Sequence, residues 1–225
     1  MNPWVMADPH LGHTGLSDDG FRPAGFSEKV IKALTHSLNA ASCQGKGDPI
    51  IFLGDIAFNE EEKWHKAITS LPGKKWLIKG NHDRRSLTWY LDRGWDFVCE
   101  SMSLTIFGKN ILFSHQPQVV QSSATISHIS PDPGVARCQG ESLHYAATGY
   151  DLNIHGHFHN FGAAKVAKTE PHLFKILTPQ HYLMCLEKLN YQPVKLDWVV
   201  KQAQKTHTLK QIEEIDNARH MEIPA

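Results

Sequence analysis

Pro49-Ile50-Ile51-Phe52-Leu53-Gly54-Asp55-Ile56-Ala57-Phe58 is the stretch on which the fold turns. Residues 50–53 are a short apolar run, rich in β-branched side chains, the mark of a buried strand. The run ends in a glycine and then a carboxylate. An anion at the tip of an apolar strand is costly to bury unless a cation meets it. The same arrangement recurs along the chain. Trp4-Val5-Met6-Ala7 leads into Asp8-Pro9-His10, and Lys75-Trp76-Leu77-Ile78 into Gly80-Asn81-His82-Asp83. Ile111-Leu112-Phe113 leads into Ser114-His115, and Leu152-Asn153-Ile154 into His155-Gly156-His157-Phe158-His159. Each strand delivers Asp, Asn or His at its carboxyl end, which is where open α/β sheets bind ligands.

The segments between these strands read mostly as helices. Ser27 is placed to cap one whose apolar positions are Val30, Ile31, Leu34 and Leu38. Asn59 starts a second, with Glu62 as its capping-box partner and Trp64, Ala67, Ile68 and Leu71 on its inner face. Pro72-Gly73 stops it, and residues 86–92 form a short helix closed by Gly94. Residues 14–26, rich in Gly, Asp, Ser and Pro, read as a surface loop. Beyond residue 96 the pattern shifts to short strands at 97–99, 104–107 and 111–113, with a hairpin turn at Gly108-Lys109-Asn110. Residues 116–150 are an irregular insertion between two motif strands, placed to overhang the site. Further strands are expected at 163–167, 174–177 and 182–186, then a terminal helix at about 208–220. Strands alternating with helices, followed by a strand-rich half, define an α/β chain.

The bulk properties narrow the function. A length of 225 residues suits a single domain. A formal net charge of zero gives no global pull toward nucleic acid or acidic membranes. The 4 cysteines, Cys43, Cys99, Cys138 and Cys185, form no CxxC pair, which argues against a zinc ribbon or a disulfide framework and for a reducing cytoplasm. No basic, cleavable apolar leader precedes the first strand, and no apolar run approaches the ~20 residues that span a bilayer. The outlying number is 15 histidines, because imidazole is the commonest side-chain metal ligand.

Asp8 and His10, like His157 and His159, are separated by one residue in a loop leaving a strand, a spacing that lets two side chains reach one centre or two adjacent ones. Asp55 and Asn81 add oxygen donors. A mixed O/N set without thiolate suits Mn²⁺, Fe or Zn²⁺. Asp8, His10, Asp55, Asn81, His115, His157 and His159 are too many for one ordinary ion and fit two ions sharing a carboxylate. A pair of metals about 3.5–4 Å apart is a clamp for phosphoryl chemistry.

Asp8-x-His10, Gly54-Asp55, Gly80-Asn81-His82-Asp83, the isolated His115 and Gly156-His157-x-His159 occur in the order of the calcineurin-like metallophosphoesterases, a family that this chain resembles over nearly its whole length. Asp8-Pro9-His10-Leu11-Gly12-His13, the Arg22-Pro23 loop and residues 190–197 are similar to a small bacterial and phage subgroup of it. The resemblance implies two facing mixed β-sheets flanked by helices. It implies one ion held by Asp8, His10, Asp55 and His159, and a second by Asp55, Asn81, His115 and His157, with Asp55 bridging. Manganese is the expected metal, with Fe, Zn and Ni as alternatives. A bridging hydroxide would attack phosphorus, and His82 would protonate the leaving oxygen as general acid. The Asp-Arg-Gly continuation of the protein-phosphatase branch is absent after Asp55.

Other residues carry weaker expectations. Arg84 and Arg85 are candidates for substrate contact. His13 reads as a supporting or loop residue and His155 as one that packs in its strand or supports the site. His128, Arg137 and His144 lie in the insertion, where they could touch substrate, although each alone reads as a solvated side chain. Trp64, Trp76, Trp89 and Trp95 read as core. The function expected is metal-dependent hydrolysis of a small, nucleotide-like phosphomonoester or phosphodiester in the cytoplasm, without a membrane partner. Two rivals stand beside it. A nuclease needs a basic groove, which no Lys/Arg cluster in the sequence supplies, although DNA or RNA stays open as a substrate. A non-catalytic metal-binding scaffold is expected to have lost ligands or the acid, and here both are intact.

Overall fold

The computed structural model describes residues 1–43, 47–119 and 149–221. Among the described residues nine strands form two sheets. The first runs β4 (Phe97–Cys99), β3 (Lys75–Ile78), β2 (Ile50–Leu53), β1 (Trp4–Met6), β9 (Val194–Lys195). All its neighbours are parallel except β1 and β9. The second runs β5 (Ser101–Ile106), β6 (Lys109–Ser114), β7 (Leu152–His155), β8 (His181–Leu183), antiparallel at β5–β6 and parallel thereafter. The fold is therefore the expected mixed α/β sandwich of two sheets flanked by helices.

Side-chain alternation explains the layers, because successive residues of a strand face opposite ways. Val5, Ile51, Leu53 and Ile78 turn inward and meet Ile111, Phe113, Ile154 and Tyr182 of the second sheet in one buried cluster. Met6, Ile50, Phe52 and Leu77 turn outward and pack on α2 (Phe26–Cys43) and α3 (Glu61–Thr69) through Val30, Leu34, Leu38, Trp64 and Ile68. Leu183 of the second sheet joins a third cluster with α5 (Ala163–Thr169), α6 (Pro171–Lys175) and α8 (Thr208–Met221) through Val166, Leu173 and Ile212. Both faces of the central strands are covered, which is why they read as continuous apolar runs.

The structure corrects several local expectations. Residues 163–167 and 174–177 are not strands. An apolar run this short does not separate strand from helix. Ala163, Ala164 and Ala167 with two lysines favour α5, and Pro171 at the first position suits α6. Residues 14–26 contain a short helix, α1 (Thr14–Asp18), and a buried arginine, Arg22. Ser27 lies inside α2, where its hydroxyl accepts from Gly12 N–H at 3.0 Å instead of capping. Glu60, in the left-handed region, precedes α3 in place of Asn59, whose amide donates to the Gly12 carbonyl at 3.1 Å. The β5–β6 turn is Phe107-Gly108, both at positive φ (53° and 70°), the pair a two-residue hairpin requires. Residues 194–203 yield a pair the sequence reading did not place, β9 and α7 (Leu196–Ala203). Short α4 (Leu87–Leu91) is capped by Ser86, whose hydroxyl accepts from Trp89 N–H, and the terminal helix is α8 as expected. Most of the 116–150 insertion, with His128, Arg137 and His144, lies outside the described residues.

Candidate metal centre

The carboxyl ends of β1, β2 and β3 face those of β6 and β7, and the loops leaving them are tied across the gap. Asp8 N–H donates to Gly54 O at 3.2 Å and His10 N–H to Asp55 O at 2.9 Å, which continues the β1–β2 pairing past the strands. Gly156 N–H donates to His115 O at 2.9 Å in the same way. Other bonds cross between the sheets. His157 N–H donates to Asp8 Oδ2 at 2.9 Å, and His115 Nδ1 lies 2.9 Å from Leu53 O.

The turns are sharp because the residues that make them sit in the left-handed region. Asp8, His10, Asp55, His157 and His159 have φ of 50°, 47°, 52°, 72° and 48°. Each such residue costs of order 1–3 kcal/mol, and strain of this kind is concentrated at functional sites. Two glycines let the carboxylates in. A Cβ on Gly80 would strike Asp55 Oδ1, and one on Gly156 would strike Asp8 Oδ2.

What converges is a set of acceptors. Asp8, His10, Asp55 and His115 are buried, while His157 and His159 are half-buried at the rim. Asp8, His10 and His159 bring ligand atoms within 4.8 Å of one another, as do Asp8, Asp55 and His115. Asp55 Oδ2 is 3.4 Å from both His10 Nε2 and His115 Nε2, so it stands between the two groups. Exposed Asn81 points Oδ1 at His115 Nε2 from 2.8 Å, and His157 Nδ1 is 3.2 Å from the same nitrogen.

The electrostatics ask for a cation. Burial pulls His10 down to about 3 and His115 to about 4, so both imidazoles are neutral near pH 7. The one proton of His115 is placed on Nδ1 by the Leu53 carbonyl, and its Nε2 lone pair then faces Asn81 Oδ1 and the Asp55 carboxylate. Burial and the charge of Asp55 raise Asp8 well above the usual carboxylate range. Burial works to raise Asp55 too, yet it is held below that range, its Oδ1 accepting the His82 backbone N–H at 2.9 Å. Among the described residues Asp8 Oδ1 and both ring nitrogens of His10 are buried without a hydrogen-bond partner. An unpaired buried polar atom costs roughly 1–3 kcal/mol. A divalent cation relieves all of this at once, and neutral imidazole with carboxylate is a donor set that borderline and hard divalent ions accept. The residues therefore fit a metal.

His82 stands at the rim, half-buried, with its N–H donating to Asp55 Oδ1 at 2.9 Å and its ring centroid 5.6 Å from that of His10. Arg84 and Arg85 are exposed beyond it. Arg84 reaches back to Asn81 O at 3.5 Å, and Arg85 is occupied by Glu61 at 2.8 Å. His13 lies beside His10, centroids 5.8 Å apart. His155 is buried behind the site, 2.9 Å from Gly156 O and 3.0 Å from the Thr208 hydroxyl, so it supports the turn from the rear.

Sequence reading missed three supports. Arg22, fully buried, donates to Pro9 O, Asp8 O and Glu187 Oε1 at 2.9, 2.9 and 2.6 Å. Both hydrogens of its Nη2 are thereby used, so His159 Nδ1 is left to donate to Glu187 Oε1 at 3.3 Å, and the proton sits away from Nε2. Burial works to raise Glu187, but the His159 bond and Arg22 hold it below the usual carboxylate range. Asp83 accepts from Asp55, Ile56 and Gly80 N–H at 2.7, 3.2 and 2.9 Å and fixes the loop that carries Asp55. Arg22 and Glu187 are 165 positions apart, and no local pattern announces such a pair. A signal was present in the Arg22-Pro23 dipeptide, which the resemblance includes without a role.

No protein-family model and no curated protein sequence matches the chain. Among solved structures, a protein of unknown function from Aquifex aeolicus superposes with a TM-score of 0.61 at 22% identity, covering 89% of this chain and 98% of that one. It shows the shared fold. A novel archaeal phosphodiesterase aligns over 69% of this chain and 72% of its own at 14% identity, with a TM-score of 0.34, too low to bear on fold or activity. Among the described residues no helix is long and apolar enough to cross a membrane.

Proposed function

We propose that this chain is a metal-dependent phosphoesterase of the calcineurin-like type, acting on a small phosphomonoester or phosphodiester. The observation that supports it best is the convergence of Asp8, His10, Asp55, His115, His157 and His159, with Asn81, on one acceptor-lined cleft in which Asp8 Oδ1 and both ring nitrogens of His10 lack a hydrogen-bond partner. In this reading two divalent ions, manganese foremost, occupy the two groups, and they supply Lewis acidity toward phosphoryl oxygens and make water a stronger acid. Asp55 Oδ2 is placed to serve both groups, and Asp8 belongs to each. Glu187 orients His159, Asp83 and Arg22 lock the two carboxylate-bearing turns, and His82 delivers a proton. Oxygen from water bonds to phosphorus as the ester P–O bond breaks, one water proton leaves to solvent, the proton of His82 goes to the departing oxygen, and solvent returns a proton to His82. Arg84 lies free enough at the rim to meet a phosphoryl group, while Arg85 must first leave Glu61.

The test is turnover of bis-p-nitrophenyl phosphate and p-nitrophenyl phosphate with Mn²⁺. The wild type turns over at least one of them. His82→Ala loses roughly 10²–10⁴-fold in kcat while still binding metal, the range of a general acid. A protein that binds Mn²⁺ yet hydrolyses neither ester contradicts the enzymatic reading.

A further inference from the structure

Phe58 closes the motif strand's loop and is an exposed aromatic ring, 40% accessible, set against the candidate site. Its centroid is 4.0 Å from that of His13, 5.1 Å from His82 and 6.4 Å from His10. Phe58 also lines a depression of about 580 Å³ whose wall includes Glu60, Glu61, Lys63, Arg85 and Trp89. A cavity of that size accommodates a small organic group.

The charges of the wall are already matched. Glu60 pairs with Lys63 at 2.8 Å, Glu61 with Arg85 at 2.8 Å, and neighbouring Glu62 with Arg93 at 3.3 Å. Glu60, Glu61 and Glu62 all line the depression with only Lys63 and Arg85 as cations, so it offers no surplus cation to a run of phosphates, and its carboxylates repel one. Trp89 has its ring engaged by two guanidinium groups, with Arg93 at 3.8 Å and Arg85 at 5.6 Å from the ring centroid. Phe58 has His13, His82 and His10 as ring neighbours and keeps 40% of its surface exposed.

We propose that this depression is a subsite for the leaving group, and that it takes an uncharged planar ring of the nucleobase class stacked on Phe58. The proposal rests on the reading of His82 as the acid that protonates the leaving oxygen. Whatever His82 protonates departs beside His82, and Phe58 is the aromatic surface there. Stacking on an aromatic side chain is sequence-tolerant, because every base has a π-face, and is strong enough to change affinity by an order of magnitude. A ring with amino donors also finds carboxylates at the wall. A long polyanion does not fit this side of the site, so the leaving group ends with the nucleoside.

Calorimetry on the Mn²⁺-loaded full chain tests this with two phosphonate isosteres, in which CH₂ replaces the ester oxygen and hydrolysis is blocked. One is the isostere of adenosine 5′-monophosphate and the other that of ribose 5-phosphate, which differ by the base. The wild type binds the adenosine compound at least ten-fold more tightly. Phe58→Ala brings the two within two-fold of each other, and Phe58→Trp, which keeps an aromatic face, restores the preference. Equal affinities in the wild type, failure to bind either compound, or a preference that survives in Phe58→Ala overturns the subsite. The hydrolase reading is judged separately, by turnover of the p-nitrophenyl esters.

Discussion

Glu187 meets the candidate metal centre through His159 Nδ1, at 3.3 Å, and through Arg22. Removing its charge while keeping its shape isolates that role. Glu187→Gln is expected to weaken Mn²⁺ binding by roughly 10–100-fold, the usual effect of losing a carboxylate behind a ligating histidine. Titration calorimetry reads it directly, and unchanged affinity would remove Glu187 from the account. Gly156 makes a complementary case. A methyl group there meets Asp8 Oδ2 and lies 2.9 Å from Ala7 Cβ. Gly156→Ala is expected to displace the Asp8 carboxylate and abolish tight metal binding, whereas Gly108→Ala, with open space around its Cβ, leaves metal binding as it was.

The helices carry the site by bracing the sheets, so their cores set stability and leave chemistry to the loops. Leu34 is fully buried on α2 among Met6, Ile50 and Phe52, and Leu34→Ala is expected to lower unfolding free energy by roughly 2–5 kcal/mol in urea melts. At this scale the sequence is legible where burial on both faces makes a strand uniformly apolar, as in Ile50–Leu53, and where α2 repeats Phe26, Val30, Leu34 and Leu38 every fourth residue. It misleads where an element is short. The five residues 163–167 are too short a run for periodicity to separate strand from helix, and Pro171, which starts α6, reads equally as a breaker. The site follows the same logic. Asp8, His10, Asp55, His115, His157 and His159 are recognisable because each follows a strand by one or a few residues. Arg22, inside a segment that reads as loop, is marked only by the dipeptide it makes with Pro23, and its role, like that of Glu187 beyond β8, is illegible because it exists only in three dimensions.

Taken whole, the molecule buries histidines that have nothing to do with metal, and these set its response to acid. His65 Nδ1 accepts from Trp95 Nε1 at 3.0 Å, and burial, then Arg93, pulls it down to about 4. His181, which meets Gln118 O at 2.7 Å, is likewise pulled to about 4 by burial. Unfolded, each has its ordinary value near 6.5, so between pH 6.5 and 4 the unfolded chain binds more protons. Their stabilising contribution is complete above pH 6.5 and is lost progressively as pH falls toward 4. The loss is of order 3 kcal/mol for His65, and His65→Gln is expected to flatten the fall of the urea midpoint over that window. A variant as acid-sensitive as the wild type contradicts this. The central claim is that the cleft between the sheets is a cation site, and titrating Mn²⁺ into chelator-stripped protein addresses it most directly. The account predicts saturable binding of two ions per chain in the wild type and loss of at least one of them in Asp55→Asn. Absence of saturable binding in a folded wild-type protein, or an Asp55→Asn isotherm that superposes on the wild-type curve, would contradict it.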